Sequence, residues 1–204
     1  GRHALEEAIC VQSTLYPSLE RAEELGKALD ISSPSWCRPP TRRDGAPWHM
    51  HLPDDGCVLS PDVEFFRGGS DAGYRFEDAA THVAAVVSVA MPNCNERMSD
   101  SPVDAHPDPA AYLLQLRRRW RAALAAAACY TDADCLVVPD AGCGVFRNLP
   151  RHVGAALGAV LRDEFSGRFD EVVVAFPGGP AGEEFFQAVE AALKGPSLPT
   201  RSLA

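Results

Sequence analysis

Two stretches of this sequence hold residues whose types and spacing could do chemistry. The first is Leu136-Val-Val-Pro-Asp-Ala-Gly-Cys-Gly-Val-Phe-Arg-Asn-Leu-Pro150. A buried strand is predicted to run into Gly142-Cys143-Gly144, and a helix to start after Asn148 with Pro150 just inside it. Two glycines one residue apart permit positive φ and close approach of a ligand to the backbone. Asn148 suits a helix cap. The N–H groups of the loop and of the helix start would then converge on one spot, a geometry that cradles a diphosphate. The pattern alone fits equally well a tight strand–helix turn with nothing bound.

The second stretch is Leu5-Glu6-Glu7. Acidic residues in the first turn of a helix complement its dipole and need no further role. A catalytic role needs one carboxyl held partly out of water, so that it keeps a proton to give to a departing oxygen. Neighbouring residues on a helix diverge by about 100°. The two carboxyls therefore cannot flank one bond as glycosidase pairs do. One would be the acid and the other a hydroxyl-binding group.

Three further groups attract attention and are set aside. His49-Met50-His51 with Asp54 and Asp55 resembles a metal cluster, but it lies in a long irregular stretch without helical His spacing, so no metal is expected. Pro177-Gly-Gly-Pro180 falls between a strand and a helix and could line a pocket edge. It lacks the Lys-Ser/Thr of a P-loop, which removes nucleoside triphosphatase chemistry. Cys143 stands at a helix approach where a thiolate is favoured, but no histidine is close in sequence to activate it.

The elements that must position these residues alternate. Ala4–Ser13 is predicted as a helix with Leu5, Ala8, Ile9 and Gln12 on one stripe, and Pro17–Leu29 as a second, polar helix. Cys57–Ser60 and Val63–Arg67 read as short strands broken at Pro61, and Ala84–Ala90 as a buried strand. Pro109–Cys129 reads as a long helix capped by Asp108, with Arg117–Arg119 and Arg121 on a solvated face. Cys135–Val138 and Val172–Phe176 are expected as buried strands. Pro150–Phe165 and Glu183–Leu193 are expected as amphipathic helices. The result is an α/β layered domain over residues 1–193, with polar loop excursions at 30–56 and 94–108 and a flexible tail at 194–204. Because the chain opens almost directly in a helix, upstream strands are expected to be missing.

Composition narrows the function classes. The 204 residues, 46% of them hydrophobic, suit one domain with a full core. The nearly apolar runs Ala84–Pro92 and Ala122–Cys129 fall far short of the roughly 20 residues that cross a bilayer, so no membrane association is expected. No charged and then apolar segment of signal-peptide type opens the chain. The formal net charge of −9, from 19 basic and 28 acidic residues, argues against binding duplex nucleic acid. It leaves an anionic small ligand open, because backbone N–H groups supply local positive potential without lysine. Seven cysteines with no Cys-x-x-Cys read as buried free thiols in a reducing compartment, cytoplasm or nucleus.

Four segments together resemble the microbial-type poly(ADP-ribose) glycohydrolase family. They are Glu6-Glu7-Ala8-Ile9-Cys10-Val11-Gln12-Ser13-Thr14-Leu15-Tyr16, Leu59-Ser60-Pro61-Asp62-Val63-Glu64-Phe65-Phe66-Arg67, Ala90-Met91-Pro92-Asn93 and Gly142-Cys143-Gly144-Val145-Phe146-Arg147-Asn148. They occur in the family's order and span most of residues 6–176. The resemblance implies a macrodomain-like three-layer fold, a mixed sheet between helices, with ADP-ribose at the loop ends of the strands. It implies hydrolysis of ribose–ribose O-glycosidic bonds in poly(ADP-ribose) or on an ADP-ribosylated protein, with no metal or organic cofactor. Carried over, Glu7 is the general acid and Glu6 holds ribose hydroxyls. Gly142, Cys143, Gly144, Val145, Phe146 and Asn148 form the diphosphate loop, with Phe146 against the terminal ribose. Leu5 stands where the family has Gln, the family's run of three glycines is absent, and Pro139-Asp140-Ala141 replaces a Gly-Ala-Trp run. A non-catalytic ADP-ribose reader and a degenerate fragment are the alternative readings.

Overall fold

The computed structural model describes residues 5–29, 52–98, 103–176 and 178–196. The chain order is α1 (Leu5–Gln12), α2 (Leu15–Ala28), β1 (Val58–Arg67), β2 (Phe76–Ser88), α3 (Pro109–Tyr130), β3 (Cys135–Pro139), α4 (Pro150–Glu164), β4 (Glu171–Ala175) and α5 (Pro180–Lys194). Both strand senses of the expected mixed sheet are present, but in separate pairs: β1 and β2 antiparallel, β3 and β4 parallel.

The main core lies where α3, α4 and α5 meet the β3–β4 pair. Leu116, Trp120 and Leu124 of α3, Val153, Leu157, Val160 and Leu161 of α4, Phe185 and Val189 of α5, and Val138 of β3 are all buried. The helical period places them: on α4 the apolar positions recur three and four residues apart, so one face is buried from end to end. All three helices carry proline at their start, where its missing N–H costs nothing. Gly154 and Gly158 let α4 approach α5 backbone to backbone. A Cβ on Gly154 would collide with the carbonyl oxygen of Phe185, and one on Gly158 would sit 2.5 Å from that of Val189.

The β1–β2 hairpin differs from the sequence expectation in two ways. β1 continues through Pro61, which pairs with Ala85; Asp62 takes φ 51°, and the ladder shifts register between Phe65 and Arg67. A proline is tolerated here because a two-stranded sheet consists of edge strands, where the absent N–H can face outward. β2 begins at Phe76, well before Ala84, and its first half is largely exposed. That half is polar (Glu77, Asp78, Thr81, His82) and is held by pairing to β1, so its apolar content does not announce it. The two parallel strands are also less covered than expected, with Val137 63% and Val173 38% exposed.

The first helix is tied to this hairpin. Ser13 bridges Phe65, the Thr14 N–H donates to the Glu64 carbonyl at 3.0 Å, and the Glu64 N–H donates to Thr14 Oγ1 at 3.0 Å. Leu15 and Val63 are buried, and Ser18 Oγ donates to Ser60 Oγ at 2.7 Å. No residue of α1 itself is fully buried; Leu5 is exposed and Ile9 half-buried. Residues 30–51 of the 30–56 excursion and 197–204 of the expected tail lie outside the described residues; His49, His51 and Cys37 fall in the first of these, and Pro177 lies outside too.

Candidate functional site

The parallel register pairs Pro139 with Ala175, so both strands end at the same edge of the sheet. From that edge the chain enters the 140–149 loop after β3 and the Gly178-Gly179 turn after β4, and α4 and α5 begin directly beyond them. Ligands of open α/β sheets sit at this carboxyl edge.

The loop is wound by its own backbone. The N–H groups of Cys143, Arg147 and Asn148 donate to the carbonyls of Asp140, Gly144 and Gly142, each at 3.1 Å. Gly142 takes φ +74°, and a Cβ there would lie 2.6 Å from Met91 Cβ and 2.7 Å from Asn148 Nδ2. Both the backbone conformation and the close approach therefore require glycine. Gly144 is different: it is exposed and a Cβ would meet nothing within 4 Å, so the space above it is open. Val145 is exposed, while Phe146 is half-buried and packs against the main core. Among the described residues the N–H groups of Gly144, Val145 and Phe146 have no hydrogen-bond acceptor. Three consecutive free donors, with open space at the first of them and a helix start one turn on, are groups that could take an anion.

Asn148 corrects the sequence expectation. The cap position of α4 is Leu149, and no side chain caps the helix. Buried Asn148 instead bonds across the fold. Its Nδ2 donates to the carbonyls of Pro92 at 2.7 Å and Gly142 at 2.9 Å. Its Oδ1 accepts from the Tyr112 hydroxyl at 2.8 Å and from the Cys94 thiol at 3.4 Å. Tyr112 sits in a desolvated position beside Cys94 and Cys143, which raises its pKa. Asp108, the expected cap of α3, makes no side-chain cap bond either.

One arginine of α3 leaves the solvated face expected of the cluster, while Arg118 and Arg121 stay exposed. Arg119 is fully buried, and its Nη2 donates to Asp54 Oδ1 at 2.8 Å and to Asp104 Oδ2 at 2.7 Å. Arg117 pairs with Asp163 and Arg121 with Glu164; Arg118 is exposed. The signal was present: Gln115, Leu116, Arg119 and Trp120 stand at i, i+1, i+4 and i+5 and are all buried on one stripe. Asp54, considered above beside His49 and His51, is thus an arginine partner. Among the described residues no cluster of His, Cys, Asp and Glu is placed to hold a metal ion. Residues 94–98 and 103–108 form loop structure, yet Asn95 and Asp104 are buried within it. The sequence reading of that segment as a polar excursion missed them.

The cysteines are less buried than expected. Six lie among the described residues and all are free thiols, Cys129 and Cys135 exposed and the others half-buried. Cys143 is a poor nucleophile: burial, and after it the charges of Asp140 and Glu184, push its thiol up to about 12.

Glu6 and Glu7 lie in the first turn of α1. Glu7 is half-buried, and its Oε2 is shielded from solvent with no hydrogen-bond partner among the described residues. Such an oxygen is costly unless a proton or a ligand satisfies it. Glu6 is exposed as a whole residue, yet partial desolvation, and after it the neighbouring Glu7, raises its carboxyl pKa.

Helices around a pair of parallel strands, with loops and helix starts gathered at their carboxyl edge, make a macrodomain-like α/β protein. In the solved structures this fold is that of the microbial poly(ADP-ribose) glycohydrolases, to which the chain is similar over 92–95% of its length. A poly(ADP-ribose) glycohydrolase from Deinococcus radiodurans, in complex with ADP-ribose, shares 26% identity with a TM-score of 0.66, across 94% of this chain and 68% of that one. The enzyme from Thermomonospora curvata shares 28% at a TM-score of 0.65, across 92% and 61%. The same enzyme bound to the inhibitor ADP-HPD gives 28%, 0.64, 92% and 63%. The chain thus spans between 61 and 68% of these relatives' length. No protein-family model and no curated protein matches the sequence.

Proposed function

We propose that the chain is a poly(ADP-ribose) glycohydrolase-like glycosidase, hydrolysing ribose–ribose O-glycosidic bonds and releasing ADP-ribose. The observation that carries this reading is the run of free N–H groups at Gly144, Val145 and Phe146 beside open space. It supports a diphosphate cradle at the carboxyl edge of the parallel strands, in a fold whose solved relatives include complexes with ADP-ribose. Phe146 lines the loop on the side of the terminal ribose. Glu7 is the general acid, supported by its Oε2, which is shielded from solvent and has no hydrogen-bond partner among the described residues. Glu6 holds ribose hydroxyls.

In the reaction the acid gives its proton to the departing ribose oxygen as the anomeric C–O bond breaks. A water adds to the oxocarbenium-like centre and its proton returns to the carboxylate, so the enzyme is restored. The loop holds the substrate still, and positioning with one well-placed acid supplies most of such a rate gain. The odd cysteine number supports an intracellular, reducing compartment.

The test is release of ADP-ribose from polymer, alongside calorimetric titration with ADP-ribose. Glu7→Gln is expected to slow release about 100-fold or more while leaving ADP-ribose affinity essentially unchanged. Gly144→Val should weaken affinity by filling the open space. Full turnover in Glu7→Gln removes the acid from this residue. Binding without turnover in the unaltered chain makes the protein an ADP-ribose reader.

A further inference from the structure

A loop that binds an anion through its backbone must present N–H groups and turn its carbonyls away, because a carbonyl oxygen facing a phosphate repels it. In a trans peptide the C=O of one residue and the N–H of the next point in opposite directions. Fixing a carbonyl therefore fixes the following N–H. In the 142–148 loop, two carbonyls are fixed by a segment about 50 residues earlier. Asn95 Nδ2 donates to the Val145 carbonyl at 2.8 Å, and the Cys94 N–H donates to the Phe146 carbonyl at 3.0 Å. The first bond turns the Phe146 N–H away from residue 95, toward the free side of the loop.

We infer that Asn95 is a positioning residue for the anion-binding face, holding the Val145–Phe146 peptide plane so that it offers its N–H and not its carbonyl. The inference rests on the reading of the loop given above. The orientation of the Asn95 amide is unambiguous, since its Oδ1 accepts from the Arg97 N–H at 3.2 Å while the Val145 carbonyl can only accept. Asn95 is itself only 7% exposed and firmly held. Its N–H donates to Asn93 Oδ1 at 2.8 Å, the Asn93 N–H donates to Asp104 Oδ1 at 2.5 Å, and Asp104 Oδ2 receives Arg119. A continuous line of buried hydrogen bonds thus runs from α3 to one peptide plane. No bond of this kind fixes the peptide between Gly144 and Val145 from outside; the Arg147 N–H holds the Gly144 carbonyl from within the loop.

Asn95→Asp keeps the shape and the Oδ1 acceptor and removes the donor; Asn95→Ala removes the donor without adding a charge. In the full chain, either variant is expected to lose about tenfold in ADP-ribose affinity, the scale of one hydrogen bond to a ligand-presenting peptide. Adenosine, which carries no phosphate, should lose nothing. Amide exchange at Arg147 and Asn148, whose N–H groups close the loop, should quicken by a similar factor in the ligand-free protein, while exchange in α4 stays unchanged. Unaltered exchange at Arg147 and Asn148 together with unaltered ADP-ribose affinity overturns the role of Asn95 alone. Equal losses for adenosine and ADP-ribose also overturn it, as the sign of a general structural defect. An unaltered chain that binds no ADP-ribose overturns the reading of the loop, and this role with it.

Discussion

Replacing Arg119 by Met removes one guanidinium and leaves two carboxylates behind. Asp104 is 1% exposed, and its other oxygen accepts from the Asn93 N–H. The Asp54 side chain is 18% exposed and keeps Gln115 Nε2 at 2.9 Å, so it can recover part of its hydration. Breaking a buried ion pair from one side costs about 3–5 kcal/mol, and the partial exposure of Asp54 favours the lower half of that range. For a domain of this size about 1 kcal/mol moves the melting temperature by roughly 2–4 °C, which places the fall at about 6–16 °C. Calorimetry or circular dichroism on heating measures it. Asp104→Asn added to Arg119→Met should restore part of the loss, since it removes the stranded charge and keeps the acceptor for Asn93. A fall worth less than about 1 kcal/mol, the scale of a surface pair, would refute the assignment of Arg119 as a buried anchor. So would a double variant no better than the single one.

Gly154→Ala should cost about 1–3 kcal/mol of stability by overpacking against Phe185, outweighing the better helix propensity of alanine and lowering the denaturant midpoint; a raised midpoint contradicts the close approach of α4 and α5. Cys143 should be alkylated far more slowly near neutral pH than Cys129 or Cys135, read by peptide mass spectrometry, because its thiol is pushed up to about 12; equal labelling refutes its burial. The raised pKa of Glu6 means that folding disfavours its ionised form, so its contribution is best when protonated and is lost as pH rises through the folded value. Glu6→Gln should therefore melt higher than the unaltered chain at neutral pH, with the gain vanishing on acidification through the carboxylate range; a gain that persists in acid has another cause.

Much of the fold could be read from local rules, and most of what was missed is long-range. The helices at 109–130, 150–164 and 180–194 carry proline at the first turn and an apolar stripe, and both signals are local. The loop at Gly142 was legible because two glycines between a strand and a helix restrict what the backbone can do. Asn148 was read as a cap because that is the local habit of asparagine before a helix. Its partners Tyr112 and Pro92 lie 36 and 56 residues away, where no local rule reaches. Arg119 was hidden among neighbouring arginines by composition, although the helical stripe it shares with Leu116 and Trp120 could have exposed it. Asn95 and Asp104 sit in a polar stretch that hydropathy assigns to solvent; only their bonds to Val145 and Arg119 show that they belong inside.

The donors facing the open space at Gly144 are peptide groups, which carry no net charge. At long range an approaching polyanion meets the field of the whole molecule, whose formal charge is −9, and is repelled. Only within the last few ångströms do the fixed N–H dipoles take over. Encounter and retention therefore respond oppositely to ionic strength: salt quickens the approach by screening the repulsion and has little to weaken once the anion is seated. A lysine-lined groove behaves the other way, losing affinity steeply as salt displaces it from the phosphates. A chain of net negative charge that seats its anion on uncharged backbone donors, as proposed, would favour anions short enough, or ends exposed enough, to reach the backbone.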